Sequence, residues 1–463
     1  MPSALLVINT TTYFTGLVEV GRLLQKKSPY KPIFYFTQPY DQYEEHIAIC
    51  EKEGMQTRCS FKKVNIINRD ATRLTRNQTR IKKGMLALYR NFWVGFTYEM
   101  LNYARECIKI NRLLRQIKPA LLILAGDNIG YNTDIFVKRG HKQGIPSAII
   151  PLWMTNANEP AEAYYSNPAY DGNRLANRIV GWLDPKWTMT HRGKKLIRWP
   201  AFKILAMKLF GLVPPLPWIL NSSHADMILA AHRAMEKLMR QVGIKASQMR
   251  LTGSIIDDMM TDNIIHLEVR RKALYEKLGL SPEKPILLCA LPPQILYVFA
   301  RAQCDFKNYE DLVEFWITSL AQTKNYHVVI SLHPAISYED MRYIEERGVK
   351  ISRDKIIDLI PLCDLFIASM SATINFAVAC GKPTINYDVY RFRDIYSKFK
   401  GVLDTEEKEG FLLLLEQLTK NKNFYAEVSA KQQTEADQCG ILDGKSGDRI
   451  LQCINELTTK SNV

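Results

Sequence analysis

The sequence has no Cys-x-x-Cys pair and no tight cluster of cysteine and histidine, although it holds nine cysteines in 463 residues. Neither a disulfide framework nor a structural zinc site is therefore expected. Cys289, Cys363 and Cys380 have apolar neighbours and read as buried thiols of a reducing compartment. No run approaches the roughly 20 apolar residues of a spanning helix. The opening Met1-Pro2-Ser3-Ala4-Leu5-Leu6-Val7-Ile8 lacks a basic n-region, and its short apolar run reads as a strand rather than a signal peptide. The expected location is the cytoplasm, with peripheral attachment to the inner face of a membrane. Neither GxGxxG nor a Walker A loop occurs, which argues against a dinucleotide fingerprint and a P-loop ATPase. No internal repeat or low-complexity tract is evident.

What the chain does have is size, apolar content and positive charge. Its hydrophobic fraction of 47% supports a large core, and its formal charge of +15 needs an anionic partner. Phosphates, an anionic membrane surface and nucleic acid all answer that description. Nucleic acid is not expected, because no recognised module or stacking platform accompanies the charge.

Two regions alternate short apolar runs with helical patterns, the signature of parallel sheets covered on both faces. The first runs from Ala4 to about Pro151. Leu5–Asn9, Pro32–Phe36, Ala120–Leu124 and Ser147–Pro151 are its strands. Gly16–Lys26, Asp41–Gly54, Tyr98–Gln116 and Thr133–Gln143 are its helices. The second runs from about Lys284 to Asp404. It has strands at Pro285–Ala290, His327–Leu332, Leu365–Ala368 and Pro383–Tyr387, and helices at Tyr309–Gln322, Tyr338–Arg347 and Thr373–Cys380. A helical close, Glu406–Thr459, is expected to pack back on the first domain.

Lys186–Leu220 carries seven basic residues and no acidic one, interleaved with Trp187, Trp199, Phe202, Phe210 and Trp218. It reads either as an in-plane membrane helix or as a helix whose aromatic face is core. Lys194, Lys195, Arg198, Trp199 and Lys203 are its expected surface-binding residues. A second basic stretch, Arg69–Arg90, supports the same reading.

In open α/β sheets ligands bind beyond the carboxyl ends of strands. After the first strand comes Asn9-Thr10-Thr11-Thr12-Tyr13-Phe14-Thr15-Gly16, hydroxyl residues placed to cap a helix and leave N–H groups for an anion. After Ala120–Leu124 comes Ala125-Gly126-Asp127-Asn128, where Asp127 is either a base or a helix cap. In the second region, Ser331-Leu332-His333-Pro334 and Ala368-Ser369-Met370-Ser371-Ala372-Thr373 follow strands. A histidine donor and a hydroxyl-rich helix start in one domain favour a nucleotide site.

These motifs, in this order, resemble the GT-B superfamily that includes UDP-N-acetylglucosamine 2-epimerases, CDP-glycerol glycerophosphotransferases and capsule polysaccharide transferases. Lys118-Pro119-Ala120 through Gly126-Asp127-Asn128 to Gly144-Ile145-Pro146 is similar to the epimerase pattern. So is the link from Ala225-Asp226 through Val242-Gly243-Ile244 to Leu251-Thr252-Gly253-Ser254 and Asp257. Lys284–Leu288, Ser331–Pro334 and Ser369–Pro383 complete the succession. Two departures stand out. Leu291-Pro292-Pro293-Gln294 replaces the epimerases' His-Arg-x-Glu-Asn, and Ser371-Ala372-Thr373-Ile374-Asn375-Phe376 lacks their paired glutamates.

The resemblance implies an α/β GT-B fold, with two Rossmann-like domains facing each other across a cleft and a C-terminal helix crossing back. The expected divisions are an acceptor domain at 1–250, a donor domain at 251–405 and closing helices at 406–463. It implies a glycosyltransferase moving a sugar from a UDP- or CMP-linked donor to a surface-polysaccharide or lipid-linked acceptor. The alternatives are a UDP-sugar 2-epimerase-like enzyme and a non-catalytic sugar-nucleotide-binding protein of the same fold. His333, Ser369, Ser371, Thr373, Thr252 and Gly253 are the expected donor-binding residues, with Asp388 and Arg391 at the sugar. His333 and a helix N-terminus would stabilise the leaving phosphate. Asp127 is the first candidate base, with Glu159 or Glu162 next. No carboxylate pair is convincingly placed for a metal, so metal independence and no cofactor are expected.

Overall fold

The computed structural model describes residues 1–40, 42–61, 91–127, 132–151, 157–221, 224–292, 294, 304–333, 336–392 and 398–460. The basic stretch 69–90, Asn128, Pro293 and Pro334 lie outside the described residues. The chain divides into two compact units, residues 1–228 with 451–463 and residues 229–450.

The first unit opens with β1 (Ser3–Ile8), α1 (Thr11–Lys27), β2 (Lys31–Phe36), α2 (Tyr43–Lys52) and β3 (Gln56–Cys59). It continues with α3 (Phe92–Ile117), β4 (Leu121–Leu124), α4 (Thr133–His141), β5 (Ser147–Ile149), α5 (Asn158–Tyr165) and α6 (Leu175–Leu183). A hairpin of β6 (Thr188–His191) and β7 (Lys194–Ile197) leads into α7 (Ala201–Phe210) and β8 (Met227–Ala230). The residues of the second unit begin within β8, and α8 (Arg233–Gln241) and β9 (Met249–Leu251) follow; the seven-stranded sheet runs β3-β2-β1-β4-β5-β8-β9. β1 pairs in parallel with both β2 and β4, and Ala4 through Ile8 have no exposed surface. That is why these strands read as unbroken apolar runs: helices cover both faces.

In the second unit α9 (Ile255–Ile265) and α10 (Leu267–Leu278) precede β10 (Ile286–Ala290), α11 (Tyr309–Ala321), β11 (His327–Ser331), α12 (Tyr338–Met341) and β12 (Lys350–Ser352). Then follow α13 (Ile356–Leu359), β13 (Leu365–Ala368), α14 (Thr373–Ala379), β14 (Thr384–Tyr387) and β15 (Val402–Thr405). The parallel six-stranded sheet runs β12-β11-β10-β13-β14-β15. α15 (Lys408–Lys420), α16 (Lys422–Gln433), α17 (Ala436–Cys439) and α18 (Ser446–Lys460) close the chain. Trp316, Tyr387 and Phe411 stack at centroid distances of 4.9–5.8 Å and clamp the end of β14.

The segment 186–220 is the main correction. It is not one amphipathic helix. Arg192 and Gly193 have φ of +49° and +76°, the two left-handed residues of a tight hairpin turn, so Thr188–Ile197 folds back as two strands. Trp187, Leu196 and Ile197 are fully buried. Arg198 is only 5% exposed: its Nε donates to the Pro217 carbonyl at 3.1 Å, and its guanidinium sits 5.1–5.8 Å from the rings of Tyr164, Trp199 and Trp218. Lys203 lies 3.7 Å over the Trp199 ring and 3.8 Å from Glu99, and burial lowers its pKa. Lys194 donates to the Tyr165 carbonyl at 2.8 Å, whereas Lys195 is exposed. Lys194, Lys195, Arg198, Trp199 and Lys203 therefore do not form one solvent-facing patch.

Candidate functional site

The expected residues fall into two groups, one at the strand ends of each unit. In the second unit, register does the assembly. Ala290 of β10 is level with Ser331 of β11 and with Ala368 of β13, and Ala368 is level with Asn386 of β14. The segments that begin at Leu332, Ser369 and Asp388 therefore leave the same edge of the sheet. With strands about 4.8 Å apart, the ends of β11 and β13 flank that of β10 at a separation of roughly 10 Å.

The β13–α14 loop is shaped by its own hydroxyls. Met370 adopts φ +51° and its N–H donates to Asn386 Oδ1 at 3.1 Å. Ser371 Oγ lies 2.7 Å from Thr373 Oγ1 and accepts the Thr373 N–H at 3.3 Å. The N–H groups of Ile374 and Asn375 are spent on the Ser371 and Ala372 carbonyls. The free amides expected at the helix start are thus partly used. Those of Ser371 and Ala372 have no acceptor among the described residues. Both residues, with Thr373, are half-buried.

Ser369 differs from its neighbours. It is 2% exposed, and its Oγ accepts the Val389 N–H at 3.4 Å, tying the end of β13 to that of β14. Asp388 is buried, its N–H bonded to the Thr405 carbonyl at 2.8 Å. Arg391 adopts φ +53° and its guanidinium reaches Asp305 at 2.8 Å and Glu407 at 3.3 Å, so carboxylates of its own unit already hold it. His333 lies on the exposed turn after β11, its carbonyl accepting the Ile336 N–H at 2.8 Å. Desolvation of its ring holds its pKa below the ordinary value. A neutral imidazole at pH 7 offers one N–H donor without adding charge.

Thr252 and Gly253 pack against the start of α18. The Thr252 carbonyl accepts Arg449 Nε at 2.6 Å, and Thr252 is 1% exposed. Gly253 has φ +80°, and a Cβ there would run into the Ser446 hydroxyl. Next to them, Ser254 and Asp257 form a capping box for α9. Asp257 Oδ2 also accepts the Ile441 N–H at 3.0 Å.

In the first unit, Asn9 follows β1 and Asp127 follows β4, its neighbour in the sheet. Asn9 is 1% exposed, and neither its amide oxygen nor its amide nitrogen finds a partner among the described residues. Thr10 caps α1, its Oγ1 accepting the Tyr13 N–H at 3.3 Å. A Cβ on Gly126 would lie 2.6 Å from the Tyr13 hydroxyl and 3.0 Å from Asn221 Oδ1. Asp127 is 7% exposed and accepts the Asn221 N–H. The Thr133 hydroxyl at the start of α4 is buried without a partner among the described residues. Buried, unmatched polar atoms cost free energy unless water or a ligand meets them. Asn9, Thr133 and Asn221 carry such atoms in the first unit.

Glu159, in the first turn of α5, has its carboxyl pKa raised to about 7 by desolvation. Glu162 is bound to His191 at 2.6 Å and Arg192 at 3.5 Å, which leaves it less suited to act as a base. Asp134, raised to about 6 by burial, was not among the expected residues. Neither were Asn9, Tyr13 and Asn221 as side chains. For Asn9 the signal was its place at a strand end. Asn221 sits in a loop far along the chain, and no local pattern marks it.

Among the described residues no group of three or more His, Cys, Asp or Glu is placed to hold a metal ion. No described helix is long and apolar enough to cross a membrane.

No family model matches the chain, and no curated protein matches it in sequence. Solved structures do match in fold. UDP-GlcNAc 2-epimerase from Neisseria meningitidis, bound to UDP-GlcNAc, aligns with a TM-score of 0.52 at 13% identity, covering 98% of this chain and 100% of that one. The Methanocaldococcus jannaschii UDP-GlcNAc 2-epimerase in complex with UDP-GlcNAc and UDP gives 0.51 at 14% identity, covering 98% and 99%. A variant of the wall teichoic acid polymerase TagF gives 0.53 at 10% identity, covering 99% and 89%. Two parallel sheets with helices, aligned over nearly the whole chain with these proteins, make this an α/β protein of the GT-B fold.

Proposed function

We propose that this chain is a metal-independent glycosyltransferase that takes its sugar from a nucleotide-activated donor. The observation that carries the reading is the shared level of the β11, β10 and β13 ends, with His333 on one side and Ser371 and Thr373 on the other. The neighbours solved with UDP or UDP-GlcNAc support a nucleotide sugar as the ligand class. The amides of Ser371 and Ala372, the paired hydroxyls of Ser371 and Thr373, and the neutral His333 donor would stabilise the negative charge of the leaving phosphate. The seven-residue α14 contributes little dipole of its own, so these local donors carry the task.

An acceptor hydroxyl must lose a proton as the new bond forms. In this reading Asp127 or Glu159 takes it. Glu159 has the better-matched basicity, since a carboxyl near pH 7 is both ionised enough and basic enough to act. The acceptor is a surface polysaccharide or lipid-linked glycan, and the protein works in the cytoplasm at the membrane's inner face.

Epimerisation is the second reading, favoured by the two epimerases that align across the chain. Against it stands Ser371–Phe376, which offers no carboxylate for proton exchange at a sugar carbon. The test is thermal stability against UDP, CMP, CDP, GDP and TDP, for the native protein and for His333→Ala. A nucleotide at ~100 times its dissociation constant raises stability by roughly 2.7 kcal/mol. One nucleotide should stabilise the native protein, and His333→Ala should lose the effect. Stabilisation by none overturns the proposal. Conversion of a UDP-sugar without any acceptor transfers the assignment to epimerisation.

A further inference from the structure

The first unit exposes an apolar surface that the reading above does not use. α6 buries Asn177, Val180 and Gly181. Its opposite stripe, Leu175, Ile179, Trp182 and Leu183, is 67%, 49%, 78% and 63% exposed. The spacing places all four on one face. Exposed Arg174, Arg178 and Lys186 interleave with them, and α6 contains no acidic residue.

Neighbouring helices of the same unit carry exposed apolar residues of their own. α7 runs beside α6: the Ala201 N–H donates to Asn177 Oδ1 at 2.9 Å, and Lys208 pairs with Asp184 at 3.0 Å. Leu209 of α7 is 67% exposed. α3 packs on α7 through Phe92–Phe202 and Tyr103–Phe210, with centroids 6.5 and 5.9 Å apart. Its outer face shows Trp93, Tyr98 and Leu101 at 72%, 58% and 68% exposure, then Arg105 and Arg112 one to three turns on. An exposed apolar stripe such as that of α6 marks an interaction site.

We propose that the exposed face of α6 docks on an anionic lipid bilayer. Charge complementarity selects that occupant. The outward cations alternate with the apolar stripe, while the nearby acids are already engaged, Asp184 by Lys208 and Glu106 by Lys109 at 3.8 Å. Exposed tryptophans beside arginines suit the boundary between headgroups and acyl chains. The face differs from the one expected at Lys194–Lys203, much of which is buried. The proposal deepens the transferase reading by naming the surface that presents a lipid-linked acceptor, and it rests on that reading for its purpose alone.

Flotation with vesicles tests it without any nucleotide. The full chain should float with phosphatidylcholine vesicles containing about one third phosphatidylglycerol, and not with phosphatidylcholine alone. Ile179→Ser with Trp182→Ser should weaken binding about tenfold or more. Arg174→Gln with Arg178→Gln should do the same and flatten the salt dependence. All four side chains are solvent-exposed, so circular dichroism and nucleotide-induced stabilisation should match the native protein. Absence of flotation with anionic vesicles, or equal flotation of the variants, overturns the proposal. So does a concentration-dependent dimer that these substitutions dissolve, which would make the face a self-association surface. Nucleotide stabilisation without vesicle binding would sink the docking face and leave the transferase reading standing.

Discussion

Glu159 shows how one carboxyl couples activity and stability to pH. Its pKa is raised from 4.5 to about 7 in the folded protein. The folded state holds a proton that the unfolded chain releases. The linked stability is therefore complete below about pH 4.5 and is lost as pH climbs through about 7. Because Glu159 is partly exposed, we set the loss at about 1–2 kcal/mol rather than the full shift. Glu159→Gln should raise the melting temperature at pH 8 and change it little at pH 4. If Glu159 is the base, turnover should rise with pH through an apparent pKa near 7, and Glu159→Gln should remove that limb. Gly126 gives a second residue-scale test. Gly126→Ala should cost about 1–3 kcal/mol by crowding the Tyr13 hydroxyl, and Tyr13→Phe should recover part of it, as urea unfolding of the double variant would show.

At the scale of elements, caps and turns decide boundaries that hydrophobic periodicity blurs. The spacing of Leu17, Val20, Leu23 and Leu24 marks a helix from Gly16, yet α1 begins at Thr11 because Thr10 caps it. Thr10→Ala should cost about 1 kcal/mol in urea unfolding. The strands were legible because burial on both faces makes them unbroken apolar runs, as in Leu365–Ala368. The 186–220 segment misled for a definite reason. Its lysines and aromatics have helical spacing on average, but the Arg192-Gly193 turn outweighs the average, and Arg198 is boxed by rings that arrive from Tyr164 and Trp218. Thr252 and Gly253 were expected at the donor only through the resemblance of Leu251–Ser254 to the epimerase link. Here the left-handed glycine makes room for Ser446. Gly253→Ala should cost more than 1 kcal/mol, since the strained φ and the collision add, and Ser446→Gly should relieve only the second.

For the whole molecule, the net charge of +15 now has a distribution to go with it. Part lies outward on α6 and α3, and part is sequestered, as with Arg198 and Lys203. The alternation of strands and helices could be anticipated from the sequence, but the meeting of Gly126 and Asp127 with Asn221 could not. It depends on a loop nearly a hundred residues from the strand end it meets. The first unit is also discontinuous: residues 451–463 belong with residues 1–228. Ile454 is fully buried and Thr458 bonds the Tyr30 hydroxyl at 2.7 Å. Ile454→Ala should therefore cost about 2–4 kcal/mol, read from the shift in unfolding midpoint.

That discontinuity has a consequence for synthesis. A ribosome completes residues 229–450 before it makes residues 451–460 of α18, so the second unit is whole while the first still lacks a piece. The nascent first unit must keep its β1–β2 layer from sticking to other chains through the translation of more than two hundred intervening residues. A stop codon just before residue 451 would remove Ile454 and Thr458 from the first unit, and should lower the yield of folded protein.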